Sequence, residues 1–250
     1  MKALTVDVIC QTLAARIASG DFAASGRLPS ERCLSEQFST TRITLREALG
    51  QLEFQGMIYR ELRRGWFIAP PRLAYDPLLR SHFHAMAEQQ GRKAQTEVLD
   101  AQRVQASAGL ARQLGMNEGE DVYRIQRLRR IDGRAVLYVE HYLNPQYFPD
   151  LLSFDLTRSL THLYQEEYGI NYGRVGFTML PAPLPTFAAP ALKVASGSPA
   201  LFITRVNRDQ HDRIIDCDYE YWRYDALYID VQVREAEQTS RQPACPEEEG

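Results

Sequence analysis

The sequence predicts an α+β protein in two parts: a small N-terminal unit of three helices closed by a β-hairpin, and a larger C-terminal α+β domain built on a mixed or antiparallel sheet. Three observations lead there. Apolar residues recur at helical spacing as far as Leu52. A proline-rich stretch from Pro70-Pro71 to Asp76-Pro77 interrupts the pattern. From Val122 onward the period shortens to strict alternation, with turn residues between the runs.

In the N-terminal unit, Val6, Ile9, Leu13 and Ile17 define a first helix that Gly20 closes. Ser30 ahead of Glu31 suits a helix start, because the serine hydroxyl accepts from free backbone N–H groups and the carboxylate complements the dipole. That second helix runs to about Phe38. Ser39-Thr40-Thr41 then supplies a second cap, and a third helix starts near Arg42 with Leu45, Ala48, Leu49 and Leu52 as its buried stripe. Arg42 and Arg46 share a different face, one turn apart near the N-terminus, where a helix lying in a major groove meets bases and phosphates. Gly56 ends the helix, residues 57–60 and 66–69 read as paired strands, and Arg63-Arg64-Gly65 is the tip between them. Glycine there lets backbone approach a duplex while arginine meets phosphate. Residues 1–69 thus read as a winged helix-turn-helix.

Residues 70–77 read as a linker, since paired prolines continue neither helix nor sheet. The second domain, 78–236, opens with a helix over 78–90 that holds His82 and His84. A strand over 97–104 and a helix over 106–114 follow, the latter stopped at Gly115. Residues 122–131 alternate, Asp132-Gly133 is a hairpin turn, and 135–143 is the return strand. Arg127 and Arg129, two apart on a strand, project from one face. Then come a helix over 160–168, a strand over 171–180, a loop marked by Pro181, Pro183 and Pro185, and an alanine-rich helix over 187–194. Strands over 200–210, 214–221 and 226–233 complete the domain, and the polar, acidic stretch 237–250 reads as a disordered tail.

The chain has 250 residues, 44% hydrophobic and 24% charged, which is room for two modest cores. Its net charge of -3 does not by itself suggest nucleic acid. The distribution is more useful: residues 1–69 hold nine Lys/Arg against seven acids, so positive potential is local to the N-terminal unit and non-specific DNA affinity should be modest and salt-sensitive. Cys10, Cys33, Cys217 and Cys245 show no C-x-x-C pairing, which argues against a zinc site and a disulfide framework. No apolar run is long enough to span a bilayer and no signal-like segment opens the chain, so a cytoplasmic location without a membrane partner is expected. No H-E-x-x-H, P-loop, G-x-G-x-x-G or nucleophile elbow occurs, so neither a catalytic set nor a cofactor is expected.

Leu28-Pro29-Ser30-Glu31-Arg32, Thr41-Arg42-Ile43-Thr44-Leu45-Arg46 and Gly65-Trp66-Phe67-Ile68 resemble the winged helix-turn-helix of the GntR family of bacterial transcription regulators. The likeness implies double-stranded operator DNA as partner, a homodimer, and DNA contacts from Arg32, Thr41, Arg42, Thr44, Arg46, Arg64 and Gly65. Trp66 follows the wing glycine where a smaller residue is usual. Arg127-Leu128-Arg129-Arg130-Ile131-Asp132-Gly133, Glu140 and Tyr221-Trp222-Arg223-Tyr224-Asp225 are similar to the UTRA effector domain of the HutC subfamily, which has a chorismate-lyase-like fold. Within that subfamily the wing and Glu220-Tyr221-Trp222-Arg223 look most like regulators of phosphonate (2-aminoethylphosphonate) utilisation. The resemblance implies a small anionic effector at Arg127 and Arg129; Arg174 and Tyr172, on the strand after Gly169, are further candidates to join them. Glu140, Asp216 and Glu220 are the acids available for a ligand ammonium, and Trp222 the wall. A sugar phosphate, a histidine-pathway intermediate or a fatty acid remains open as effector, and an arginine-rich strand also suits a solvated edge. An enzyme in the C-terminal domain is the reading from another class.

Overall fold

The computed structural model describes residues 5–79 and 82–232. Its N-terminal unit packs α1 (Val6–Ala18), α2 (Glu31–Gln37) and α3 (Arg42–Phe54) around one core, closed by the antiparallel hairpin of β1 (Ile58–Glu61) and β2 (Gly65–Ile68). Ile9, Leu13, Leu34 and the whole Leu45-Ala48-Leu49-Leu52 stripe are fully buried there. Each such leucine contributes about 1.5–3 kcal/mol by leaving water. Both expected caps form: Cys33 N–H donates to Ser30 Oγ and Thr44 N–H to Thr41 Oγ1, each at 3.2 Å. Trp66 joins the core rather than the wing's outer surface, and its indole N–H donates to Glu31 Oε1 at 3.1 Å.

The stretch between the domains is structured. Within it β3 (Leu73–Tyr75) pairs in parallel with β10 (Leu227–Ile229), so both ends of the C-terminal domain are tied together. The single helix expected over 78–90 is instead a 3-10 turn at Pro77–Leu79 and α4 (Phe83–Gln89). His82 begins α4 from an extended backbone, with its Nδ1 accepting from Ala85 N–H at 3.3 Å.

The remaining strands are β4 (Ala94–Gln105), β5 (Asp121–Ile131), β6 (Arg134–Leu143), β7 (Tyr172–Pro183), β8 (Pro199–Asp209) and β9 (Ile214–Arg223). They form one wholly antiparallel sheet in the order β4-β5-β6-β9-β8-β7. The sequence left mixed and antiparallel pairing open; the only parallel pair among the described residues lies outside this sheet. β7 continues through Pro181 and Pro183, which the sequence placed in a loop, because it is an edge strand and needs no outward N–H. Residues 187–194 form turns rather than the expected helix, since Pro190 has no N–H to continue one. The last expected strand is shorter than 226–233, and the expected disordered tail 237–250 lies outside the described residues.

One face of the sheet is covered by α4 and α6 (Leu160–Tyr168), the other by α5 (Ala108–Leu114) and the 187–194 turns. The two domains meet at Tyr59 on β1. The guanidinium carbons of Arg134 and Arg223 lie 3.8 and 5.3 Å from its ring centroid, and both arginines donate to the fully buried Asp225, at 2.6 and 2.9 Å. Leu62 N–H in the wing donates to Lys193 O at 2.8 Å, and Arg223 Nη2 donates to Arg60 O at 3.4 Å.

Candidate DNA-reading face and ligand cleft

Both sites follow from periodicity. On α3 the buried stripe turns Arg42, Ile43, Arg46 and Glu47 outward, and all four are exposed. Thr41 and Thr44 are joined through their hydroxyls at 2.9 Å, so both are occupied in the helix cap. Arg32 projects from α2 and pairs with Glu36 at 3.0 Å. Glu31, which the sequence reading used only as a helix start, ties the unit together. It accepts from Arg46 Nε on α3 at 2.8 Å and from Trp66 on the wing. Burial would raise its pKa, but those two hydrogen bonds and the Arg46 charge hold the carboxyl below its usual range. At the tip, Arg64 is exposed and pairs with Glu61. Gly65 has φ +95°, and a Cβ there would stand 3.2 Å from Arg27 Nη2, so only glycine fits without strain. Arg27 itself, bridged to Phe67, is a wing cation that the sequence reading passed over.

The sheet register decides the second site. Arg127 and Arg129 on β5 oppose Val139 and Leu137 on β6, which oppose Glu220 and Trp222 on β9. One row further along, His141 opposes Asp218, and Asp218 opposes Arg205 on β8. These side chains share the face under α4 and α6, where a cleft is lined by Arg127, Arg129, Tyr172, Arg205, Glu220 and Trp222, among others. His82 and His84 from the start of α4, and Ser159, Leu160 and Thr161 from the start of α6, close its rim.

Within it the arginines differ. Arg127 is fully buried and largely engaged: Nε and Nη2 donate to His141 Nε2 at 3.1 and 2.9 Å, and Nη1 donates to the Leu156 and Arg158 carbonyls. Arg205 forms a two-pronged pair with Asp218 at 2.8–2.9 Å. Arg129 has neither kind of partner. Its Nε is buried without a hydrogen-bond acceptor, its guanidinium stacks on Phe83 at 4.8 Å, and among the described residues no carboxylate pairs with it. Burial, and then repulsion from Arg127, push its pKa down to about 9. His141 is pushed by burial down to about 3; as a neutral ring it donates from Nδ1 to Asp218 at 2.6 Å and accepts from Arg127 at Nε2. With that nitrogen occupied, the His–Asp pair has no free base to offer a substrate. Burial would raise Asp218, yet His141 and Arg205 hold it below the ordinary carboxylate range.

The structure separates several residues that the sequence reading grouped. Arg174 does not join the cleft; it is exposed on edge strand β7 and pairs with Asp212 at 3.4 Å. Glu140 falls on the opposite face, because its neighbours Val139 and His141 take the cleft side, and there it accepts from Gln126 and Tyr142. Asp216 is on the cleft face but one layer behind, accepting from Tyr172 OH at 3.1 Å and from Asn207. Glu220 accepts from Trp222 Nε1 at 2.7 Å, so acid and aromatic wall are already joined. The residues missed were His141, Arg205 and Asp218. Asp216, Asp218, Glu220 and Trp222 stand at alternate positions, a signal that points all four at one face.

The model for bacterial regulatory proteins of the gntR family matches residues 5–68, and the UTRA domain model matches residues 89–227. The chain is 32% identical over 203 residues to the HTH-type transcriptional regulator YihL of Escherichia coli K12, covering 81% of this chain and 86% of that one. It is 24% identical over 224 residues to the probable fructoselysine utilization operon transcriptional repressor of the same organism, covering 88% and 91%. The crystal structure of PhnF from Mycobacterium smegmatis superposes with a TM-score of 0.63 at 26% identity, over 88% of this chain and 99% of that one. The chain belongs to the gntR family of bacterial transcription regulators, with a winged helix-turn-helix joined to a UTRA domain.

Proposed function

We propose that this DNA-binding regulator responds to a small anionic metabolite seated in the cleft, with the anion meeting Arg129 and the start of α6. The observation that carries this is Arg129: its Nε is buried without an acceptor and no carboxylate among the described residues pairs with its guanidinium, so an anion supplies both a counter-charge and the missing acceptor. Backbone N–H groups at the helix start add donors beside it. Glu220 and Trp222, on β9 in the same cleft, suit an ammonium. A metabolite with both ends, such as 2-aminoethylphosphonate, satisfies each, in keeping with the sequence resemblance to regulators of phosphonate use. A sugar phosphate is the second reading, favoured by the hydrogen-bonding rim of His82, His84, Thr96 and Thr161 and by a relative named for fructoselysine utilization.

Occupancy has a short route to the DNA. Trp222 faces the cleft, while the next residue on β9, Arg223, grips the wing through Tyr59 and Arg60. As a homodimer, two α3 helices enter successive major grooves, and the ligand biases their spacing. A thermal-shift series with 2-aminoethylphosphonate, inorganic phosphate, a hexose phosphate and the uncharged sugar tests the assignment. The anions should stabilise the wild type and leave Arg129→Met unmoved; stabilisation of both by the uncharged sugar alone would contradict it.

A further inference from the structure

We infer that Ile43 is a specificity determinant that packs against a thymine methyl group in the major groove. This rests on the assignment of α3 as the recognition helix. At about 100° per residue, Ile43 stands nearly opposite the Leu45-Ala48-Leu49-Leu52 stripe and so points most directly away from the core. Arg42 and Arg46 flank it on one side, Glu47 on the other.

Ile43 is 80% exposed, in the first turn of α3, where a recognition helix comes closest to base edges. Nothing in the protein's own packing explains an isoleucine there. Thr41 and Thr44 on either side are spent on the cap, leaving Ile43 as the apolar projection between charged neighbours. Two turns further along nearly the same line is Gly50. A Cβ there would meet nothing within 4 Å, so the space before it is open and the helix backbone can approach the groove closely. In the major groove the thymine C5 methyl is the one apolar feature among the base edges, and an apolar side chain is its complement. The arginines on the adjacent face hold phosphate or guanine while Ile43 selects the T·A pair.

The test starts from an operator selected out of a random duplex library by the full-length wild-type protein. Each thymine is then replaced singly by uracil, which removes the methyl and nothing else. At one position in each half-site, uracil should weaken wild-type binding roughly threefold to tenfold, in line with burial of one to two methyl equivalents. Ile43→Ser, an exposed change that leaves the core untouched, should bind the thymine and uracil duplexes equally while keeping its sensitivity to salt. Wild-type binding indifferent to uracil at every position would overturn the inference, as would a uracil effect undiminished in Ile43→Ser. A library that yields no enriched site would overturn the recognition-helix assignment itself, and the role of Ile43 with it.

Discussion

At the scale of single residues, the cleft's behaviour turns on how differently three arginines are satisfied. Arg127 and Arg205 are tied to His141, to carbonyls and to Asp218, whereas Arg129 is held charged against burial with only Phe83 beneath it. Desolvation and Arg127 disfavour the Arg129 charge more than Glu220 favours it, so removing that charge should stabilise the unliganded protein. Arg129→Met is therefore expected to raise stability by about 1 kcal/mol, the low end for replacing buried charge by an apolar side chain. That is about 2–4 °C in melting temperature. A lower melting temperature without ligand would show that the guanidinium is already compensated. His141 gives a second test. Its folded pKa lies near 3 against an ordinary 6.5, so its contribution is complete above pH 6.5 and is lost as pH falls toward 3. Denaturant titrations of wild type should show stability declining through that window, and His141→Gln should show a flatter dependence; equal slopes would mean that the ring is not held neutral. Arg127 and Arg129 were legible in the sequence because strand alternation put them on one face. The identity of the free one was not, since it depends on carbonyls from Leu156 and Arg158, far along the chain.

At the scale of elements, the N-terminal unit was read almost whole from caps and a single buried stripe, because its structure is set by contacts close in sequence. Thr41→Ala should cost about 1 kcal/mol in stability through loss of the α3 cap and weaken operator binding as well, which calorimetry and anisotropy can separate. The sheet was harder. Its strands could be found by alternation, but the register across β5, β6, β9 and β8 determines which acids face the arginines, and no local pattern contains it. Glu140 was grouped with the cleft for that reason and proved to lie on the other face. Pro181 and Pro183 suggested a loop, and only the position of β7 at an edge explains why the strand continues. The contact between Tyr59 and Asp225's two arginines joins elements far apart in sequence and was likewise invisible. Tyr59→Ala should leave both cores intact and uncouple the domains, so that a single unfolding transition becomes two; one unchanged transition would show that the node does not hold them together.

At the scale of the whole molecule, the cleft and the wing are served by adjacent residues of β9, with Trp222 turned to one and Arg223 to the other. A ligand that changes the set of that strand end reaches the DNA-reading unit without a long relay. Replacing Arg42 or Arg46 by Ala should cost operator affinity while leaving anion-induced stabilisation in place, since neither side chain touches the C-terminal domain's cleft. The most direct measurement is operator affinity by fluorescence anisotropy, with and without saturating anion from the thermal-shift series, for the wild type and Arg129→Met side by side. The wild type should change its affinity on adding the anion, while Arg129→Met binds the operator and ignores the anion. An anion response that survives in Arg129→Met, or an anion that binds the wild type without moving its operator affinity, would contradict control of DNA binding through this cleft.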